Sequence, residues 1–291
     1  MNRPTLTLIA TALFWAAIWW PFRQLAGAGL ASSQACLLIF GSGAIAALIA
    51  AKGRLPSIRR APALLVAALA SALCNLGYNL AAIHAPVMKA VLLLYTSPLW
   101  TVALAWLLMR ERPGVRGGFA LALCVLGAAL MLYHPELGYP WPASVWEWVG
   151  LGAGFAFALY NVMTRALPRG DEKERVALIF VVEVLLSALW AAPAGDFAPI
   201  SAALLALGIA TGVAMWIVIS AMQWGLQRLP ANHAAVLMSS ELVFAALLSW
   251  WLAGEALSPR EGLGAALIAC AALASAWQPA PPAPKPARIA A

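Results

Sequence analysis

Ten apolar runs of 17 to 23 residues follow one another along this chain, with only short polar connections between them. A helix needs ~20 apolar residues to cross the hydrocarbon of a bilayer. Inside that layer every backbone N–H and C=O must be bonded within the segment itself, which leaves helices or closed barrels. The runs are Leu6–Phe22, Leu30–Ala51, Pro62–Ile83, Val87–Met109, Val115–Tyr133, Trp146–Leu167, Val176–Pro193, Ala202–Trp224, Ala231–Ala253 and Glu261–Trp277, each bounded by Gly, Pro or charge. Hydrophobic residues make up 64% of the chain and charged residues 10%, where a soluble domain carries about 25% charged. The expected fold class is an all-α membrane protein with ten transmembrane helices.

Charge placement orients these spans. With the N-terminus inside, fifteen of the eighteen Lys and Arg fall on the inner side, and only Arg23, Lys89 and Arg260 fall outside. An excess of Lys and Arg marks cytoplasmic loops, so both termini are expected in the cytoplasm and the protein in the inner (plasma) membrane. The net charge of +7 is spread over these loops and forms no continuous basic stripe, so no nucleic-acid partner is expected. Arg3, the first run and Ala26-Gly27-Ala28 resemble a signal peptide, but the run exceeds a typical signal core and recurs in the second half. It is expected to be a retained helix. Cys36, Cys74, Cys124 and Cys270 each sit inside an apolar run with no CxxC pair, which argues for small packing residues rather than disulfides or zinc. The Pro/Ala-rich tail, 278–291, is expected to be disordered.

The chain repeats itself. An offset of 144 aligns Pro86 with Pro230, Ala90 with Ala234, Trp106 with Trp250, Glu111 with Glu255, Arg116 with Arg260 and Gly118 with Gly262. An offset of 142 aligns Arg23 with Arg165 and Leu25 with Leu167. The chain thus divides into 1–138 and 139–277, each with five spans. An odd number of spans inserts the second half upside down, with Glu111 inside and Glu255 outside. Inverted repeats recur in secondary transporters, whose substrate sites lie near the midplane between the halves. A duplicated scaffold without transport is the bland alternative.

Trp106-x4-Glu111-x6-Gly118, repeated as Trp250-x4-Glu255-x6-Gly262, resembles the EamA-type half of the drug/metabolite transporter superfamily. Phe14-Trp15-Ala16 and Ala158-Leu159-Tyr160-x4-Arg165 resemble it as well. Within the superfamily, overall character is most similar to the bacterial aromatic amino-acid exporters of the YddG kind. The resemblance implies an inner-membrane exporter of amino acids or related metabolites. It places spans one, three, four, six, eight and nine around a central cavity, with five and ten peripheral. One departure is that Pro98 in span four is matched by Leu242 in span nine.

Lipid-facing surfaces should be uniformly apolar, so polar stripes point inward. Phe157, Tyr160, Asn161 and Thr164 share one face of span six, and Trp15, Ile18, Trp19 and Phe22 the matching face of span one. Span three offers Asn75, Tyr78 and Asn79; span eight, Trp216, Ser220, Gln223 and Gln227; span four, Tyr95, Thr96, Ser97, Pro98 and Trp100; span nine, Ser239, Ser240 and Glu241. The candidate substrate-binding set is Trp19, Tyr78, Asn79, Tyr95, Ser97, Trp100, Tyr160, Asn161, Trp216, Gln223, Ser240 and Glu241. Packing between helices and interfacial anchoring account for such residues too, and Trp146, Trp148 and Trp277 fit that belt better. Glu241 falls about halfway along its run, where a charge costs ~2.5–3.5 kcal/mol. It would recognise a substrate ammonium, relay a proton, or bond a neighbouring helix. Glu183 in span seven is the competing acid. Lys89 either snorkels to the outer face or attracts a carboxylate, and His233 matches it by the repeat.

Pro21 and Pro98 are expected to interrupt helices and so to serve gating. An aromatic cavity suits a flat apolar substrate and holds an ammonium by cation–π contact. That fits an aromatic zwitterion exported by alternating access, and a proton-coupled multidrug or cationic-metabolite exporter almost as well. With no GxxxxGK[ST], HExxH or paired-aspartate motif, no cofactor, metal or enzymatic activity is expected. The expected partners are a small-molecule substrate and membrane lipid, the chain being a monomer or homodimer. Gly262, Ala266, Cys270 and Ala274 would pack span ten against its own bundle or a second copy.

Overall fold

The structure is a computed structural model that describes residues 3–58, 62–109, 115–134, 139–140, 142–166, 171–192, 199–226, 228, 237–238, 240–255 and 258–276. Helices occupy all ten apolar runs. α1 (Arg3–Ala17) and α2 (Trp19–Gly27) share the first, α3 (Ser32–Ala50) and α4 (Pro62–His84) fill the next two, and α5 (Val87–Leu94) and α6 (Ser97–Met109) share the fourth. α7 (Val115–Leu132), α8 (Val145–Ala166), α9 (Glu172–Ala191), α10 (Ala202–Leu226), α11 (Ser240–Ala253) and α12 (Pro259–Ala276) follow. Among the described residues, Arg3–Gly27, Ser32–Ala50, Pro62–His84, Val87–Leu108 and Ala202–Gly225 are long and apolar enough to cross a membrane, and Ser240–Ala253 is apolar but shorter. One detail was not expected: Tyr133–His134 pairs antiparallel with Tyr139–Pro140, a two-residue ladder between α7 and α8.

Local chemistry sets several helix starts. The orphan N–H groups of a first turn need acceptors. The Asp171 carboxylate accepts from Lys173 N at 2.9 Å at the start of α9, with Glu172 and Glu174 in the same turn favouring the positive helix end. Ser144 and Glu147 serve α8, the serine hydroxyl accepting from Glu147 N at 3.2 Å. Ser258 and Glu261 form a reciprocal box at α12, in which Glu261 N donates to Ser258 Oγ at 3.3 Å and Ser258 N to Glu261 Oε2 at 3.0 Å.

Small residues set the helix crossings. α3 packs extensively against both α9 and α10. A Cβ on Gly212 of α10 would meet Ile39 O, Ser42 Oγ and Gly43 N of α3, two of them backbone. Close backbone approach through Gly and Ser is how membrane helices gain packing without a hydrophobic drive between them. Gly212→Ala is therefore expected to cost about 2–3 kcal/mol by overpacking, seen as a lowered unfolding temperature in detergent. An unchanged temperature would mean that the α3–α10 crossing is looser than the backbone shows.

α7 and α12 pack chiefly on each other, Gly127 lying against Gly264 O and Ile268. The ladder expected on span ten is not that seam: Ala266 and Cys270 are exposed and Gly262 has open space around it. The buried residues of α12 are Gly264, Ile268 and Ala271, one helix face round. The Ala274 side chain lies outside the described residues. Cys36, Cys74 and Cys124 are buried packing residues as expected, whereas Cys270 corrects that expectation. Ile49, Leu107, Leu189 and Trp251 are each about 70% exposed. Such a girdle suits hydrocarbon rather than water. Trp106 and Trp250, matched by the repeat offset, both belong to it.

Candidate functional site

Two helix breaks have the same cause. Proline lacks an N–H, and its ring collides with the carbonyl four residues earlier. α1 ends at Ala17, four residues before Pro21, and Ile18 N reaches only to Trp15 O at 3.4 Å. α5 ends at Leu94, four residues before Pro98, and Tyr95 and Thr96 turn the chain before α6 begins at Ser97. The freed groups are partly re-satisfied, Thr96 Oγ1 donating to Leu93 O at 2.7 Å. Gly154 of α8 lies against this break, where a Cβ would stand 2.7 Å from Leu93 O and 3.0 Å from Thr96 Oγ1.

Opposite the α5–α6 break stands the start of α11. Glu241 stands in the first turn of α11, and Leu237 and Met238 before it are helical as well. Ser240 Oγ donates to Leu237 O at 2.6 Å, just before that turn. Across the gap the Tyr95 hydroxyl donates to Glu241 Oε2 at 3.1 Å. Tyr78 of α4 is buried, its hydroxyl has no hydrogen-bond partner, and it stands within electrostatic reach of both Glu241 and Tyr95. A half-buried carboxylate, two phenols and a broken helix backbone thus meet at one place.

A separate set of bonds joins α2, α4, α5 and the end of α11. Arg23 of α2 donates from Nε to Ala82 O at 2.6 Å and from Nη2 to Ala85 O at 2.7 Å, capping the last carbonyls of α4. Its Nη1 donates to Glu255 Oε1 at 2.9 Å, and Glu255 Oε2 accepts from Val87 N at 2.6 Å, the first N–H of α5. Gly254, at φ +66°, ends α11 and turns Glu255 back to make this contact; only glycine takes that conformation freely. The guanidinium also lies 5.4 Å from the Trp19 ring. Beside it, Lys89 Nζ meets Glu147 Oε1 at 3.2 Å, which gives Lys89 a partner within the protein. Ser32 Oγ lies 2.8 Å from His84 Nε2, and His84 stacks on Trp146 at 4.1 Å, which draws Trp146 into the bundle.

The remaining candidates scatter. Trp19 is fully buried and spends its Nε1 on Ala16 O at 2.7 Å. Asn79 is buried and donates to Asn75 O at 2.8 Å, on the side of α4 that meets Glu183. Ser97 is buried at the break. Trp100 packs edge-on against Phe155, 5.6 Å away, between α6 and α8. Tyr160 and Asn161 are half-buried on α8. Trp216 and Gln223 are half-buried on α10, which packs against α1. Of the twelve candidates, Tyr78, Tyr95 and Glu241 come together, with Ser97 at the α5–α6 break and Ser240 next to Glu241 in the chain. His233, Ser239, Gln227 and Glu111 lie outside the described residues, as does the side chain of Pro98. Sequence reasoning missed the Arg23–Glu255 contact, although the repeat offsets matched each of its partners to a charged counterpart.

A groove of about 470 Å³ runs between α4 and α8, lined by Val66, Leu73, Gly77, Phe155, Leu159 and like neighbours. It is apolar throughout and carries none of the polar groups described above.

A sequence profile of the EamA-like transporter family matches residues 3–133 and 144–277. A curated relative, the uncharacterized transporter YwfM of Bacillus subtilis (strain 168), is 26% identical over 186 residues, which are 61% of this chain and 60% of that protein. The match therefore spans less than two thirds of the relative's length. A solved crystal structure superposes with a TM-score of 0.63 at 19% identity, covering 94% of this chain and 97% of the other. At that identity the likeness speaks for the fold alone.

Proposed function

We propose that this chain, which belongs to the EamA-like transporter family and is thus a membrane transporter, is a secondary exporter of amino acids, aromatic ones first, that works by alternating access. The observation that carries the reading is the Tyr95–Glu241 contact with Tyr78 beside it. A carboxylate with phenol faces around it suits an ammonium group joined to a flat apolar body. The α5–α6 break supplies backbone polar groups beside that contact, as transporter sites built on discontinuous helices do.

Alternating access needs two halves that can exchange roles, here 1–138 and 139–277. The pattern of neighbours supports an inverted repeat of ten spans. α1 packs on α10 and α11 as α8 packs on α4 and on α5–α6, α3 meets α10 as α9 meets α4, and α3–α9 and α7–α12 are their own counterparts. In this scheme Arg23 and Glu255 hold the outer end closed, and their counterparts Arg165 and Glu111 form the same lock at the inner end in the opposite state. Membrane-impermeant thiol labelling in intact cells should reach a cysteine at position 255 and spare one at position 111. Equal labelling of both from one side would overturn the inverted arrangement.

Proteoliposome countertransport of radiolabelled tryptophan, in competition with other amino acids and with organic cations, tests the substrate. Saturable exchange that aromatic amino acids compete for best is the expected result. Competition by organic cations lacking a carboxylate, with none by amino acids, would make the chain a cationic-drug exporter.

A further inference from the structure

A second acid lies one helix face away from the central pair. Glu183 of α9 is fully buried, and Asn75 of α4 donates from Nδ2 to its Oε1 at 2.5 Å. The two helices pack along this length: Ala68 and Ala72 cluster with Leu178 and Val182, and Asn75 meets Glu183. Asn79 of α4 and Ser187 of α9 are fully buried as well. No cation among the described residues pairs with Glu183. Its titratable neighbours are thiols, Cys74 on α4 and Cys36 on α3, and α10, also packed on α9, has no titratable side chain.

Three buried oxygens on these two helices have no hydrogen-bond partner among the described residues: Glu183 Oε2, Asn79 Oδ1 and Ser187 Oγ. The Asn79 amide N–H is already bonded to Asn75 O. An ionised carboxylate and an amide oxygen only accept, whereas a hydroxyl donates one hydrogen and accepts another. Oε2 of an ionised Glu183 would thus be a buried charged acceptor with no donor, and buried polar groups are seldom left so. A proton on Oε2 removes that charge.

The same helix serves the central site. Asn75, Tyr78 and Asn79 stand at i, i+3 and i+4 on α4, with Tyr78 turned to Glu241, and Cys74 lies within electrostatic reach of both acids. We propose that Glu183, with Asn75, is a proton-binding site that couples proton movement to transport, distinct from the Glu241 pocket and resting on the transport reading above. Loading places the proton on Oε2. Release returns it to water when α4 and α9 part, leaving a carboxylate that still accepts from Asn75.

Infrared difference spectroscopy on the purified full chain in lipid tests this without any substrate. The C=O stretch of a buried protonated carboxyl is expected in the wild type. It should be lost in Glu183→Gln, kept in Glu241→Gln, and displaced in frequency in Asn75→Ala, which removes the donor to Glu183 Oε1. In proteoliposomes a pH gradient should speed net tryptophan flux several-fold in the wild type and not in Glu183→Gln, whose countertransport without a gradient persists. A band that survives Glu183→Gln, an unmoved pH dependence in that variant, or stimulation by a sodium gradient in place of the proton gradient would overturn the proposal. Absence of tryptophan flux in every variant, with the band behaving as stated, would remove the substrate reading and leave the proton site standing.

Discussion

Arg23→Gln is expected to open the bonded end of the bundle and raise the labelling rate of a cysteine at position 78 about 30-fold. Arg23 satisfies two carbonyls at the end of α4 and one oxygen of Glu255, while the other oxygen of Glu255 holds the first N–H of α5. Truncating one member of a hydrogen-bonded charge pair costs about 2–5 kcal/mol, much of it from the groups left behind. Both side chains here are about a quarter exposed, 24% and 23%, so solvent recovers part of the loss and the low end applies. About 2 kcal/mol is roughly a 30-fold change in the ratio of closed to open forms. The measurement is maleimide labelling of Tyr78→Cys in a background without the four native cysteines, alongside countertransport, which should slow because the cycle no longer recloses. Arg23→Lys should fail to restore closure, since an ammonium is a point charge and cannot present a fork to three acceptors. Exchanging the charges, Arg23→Glu with Glu255→Arg, should fail as well, because it sets a carboxylate against the carbonyls of Ala82 and Ala85. Closure restored by the exchange would reduce the contact to a simple ion pair.

The second large effect is at Glu241. Glu241→Gln keeps the shape of the side chain and can still accept from Tyr95, but it removes the charge that an ammonium would meet. A hydrogen bond to a charged group contributes about 1.5–3 kcal/mol, so the apparent affinity for tryptophan should fall roughly 10- to 100-fold. Tyr95→Phe, which deletes a single neutral donor, should cost about 1 kcal/mol and weaken binding only several-fold. The contrast that matters is between ligands. Indole-3-propionate has the ring and carboxylate of tryptophan without its ammonium, so binding of this analogue should be indifferent to Glu241→Gln. An equal loss for both ligands would show that Glu241 holds the α5–α11 contact together and does not meet the substrate.

Residue chemistry along the chain accounts for much of this design. Runs near 20 apolar residues become helices because no other open structure satisfies the backbone in lipid. Helices end four residues before Pro21 and Pro98 because a proline has no N–H to give the carbonyl there. The capping pairs Ser144–Glu147 and Ser258–Glu261 are legible for the same reason: every partner is local. The central carboxylate was legible as well, since an acid inside an apolar run must have a use or a partner. Its contact with Tyr95 was not, because that partner stands 146 residues away along the chain.

What the sequence by itself determined is the membrane class, the helices and the position of one break in each of spans one and four, all consequences of local backbone and solvation physics. Only the tertiary structure decided which faces are inside. A helix between lipid and a protein interior meets apolar surroundings on both sides, so its pattern carries little amphipathic signal to say which way it turns. Hence Trp100 and the small-residue ladder of α12 face elsewhere than expected, and Glu183 proves fully buried. The partners of Arg23 and Lys89 also come from distant parts of the chain, 232 and 58 residues away. Spacing along a sequence cannot disclose a contact that exists only once the helices have packed.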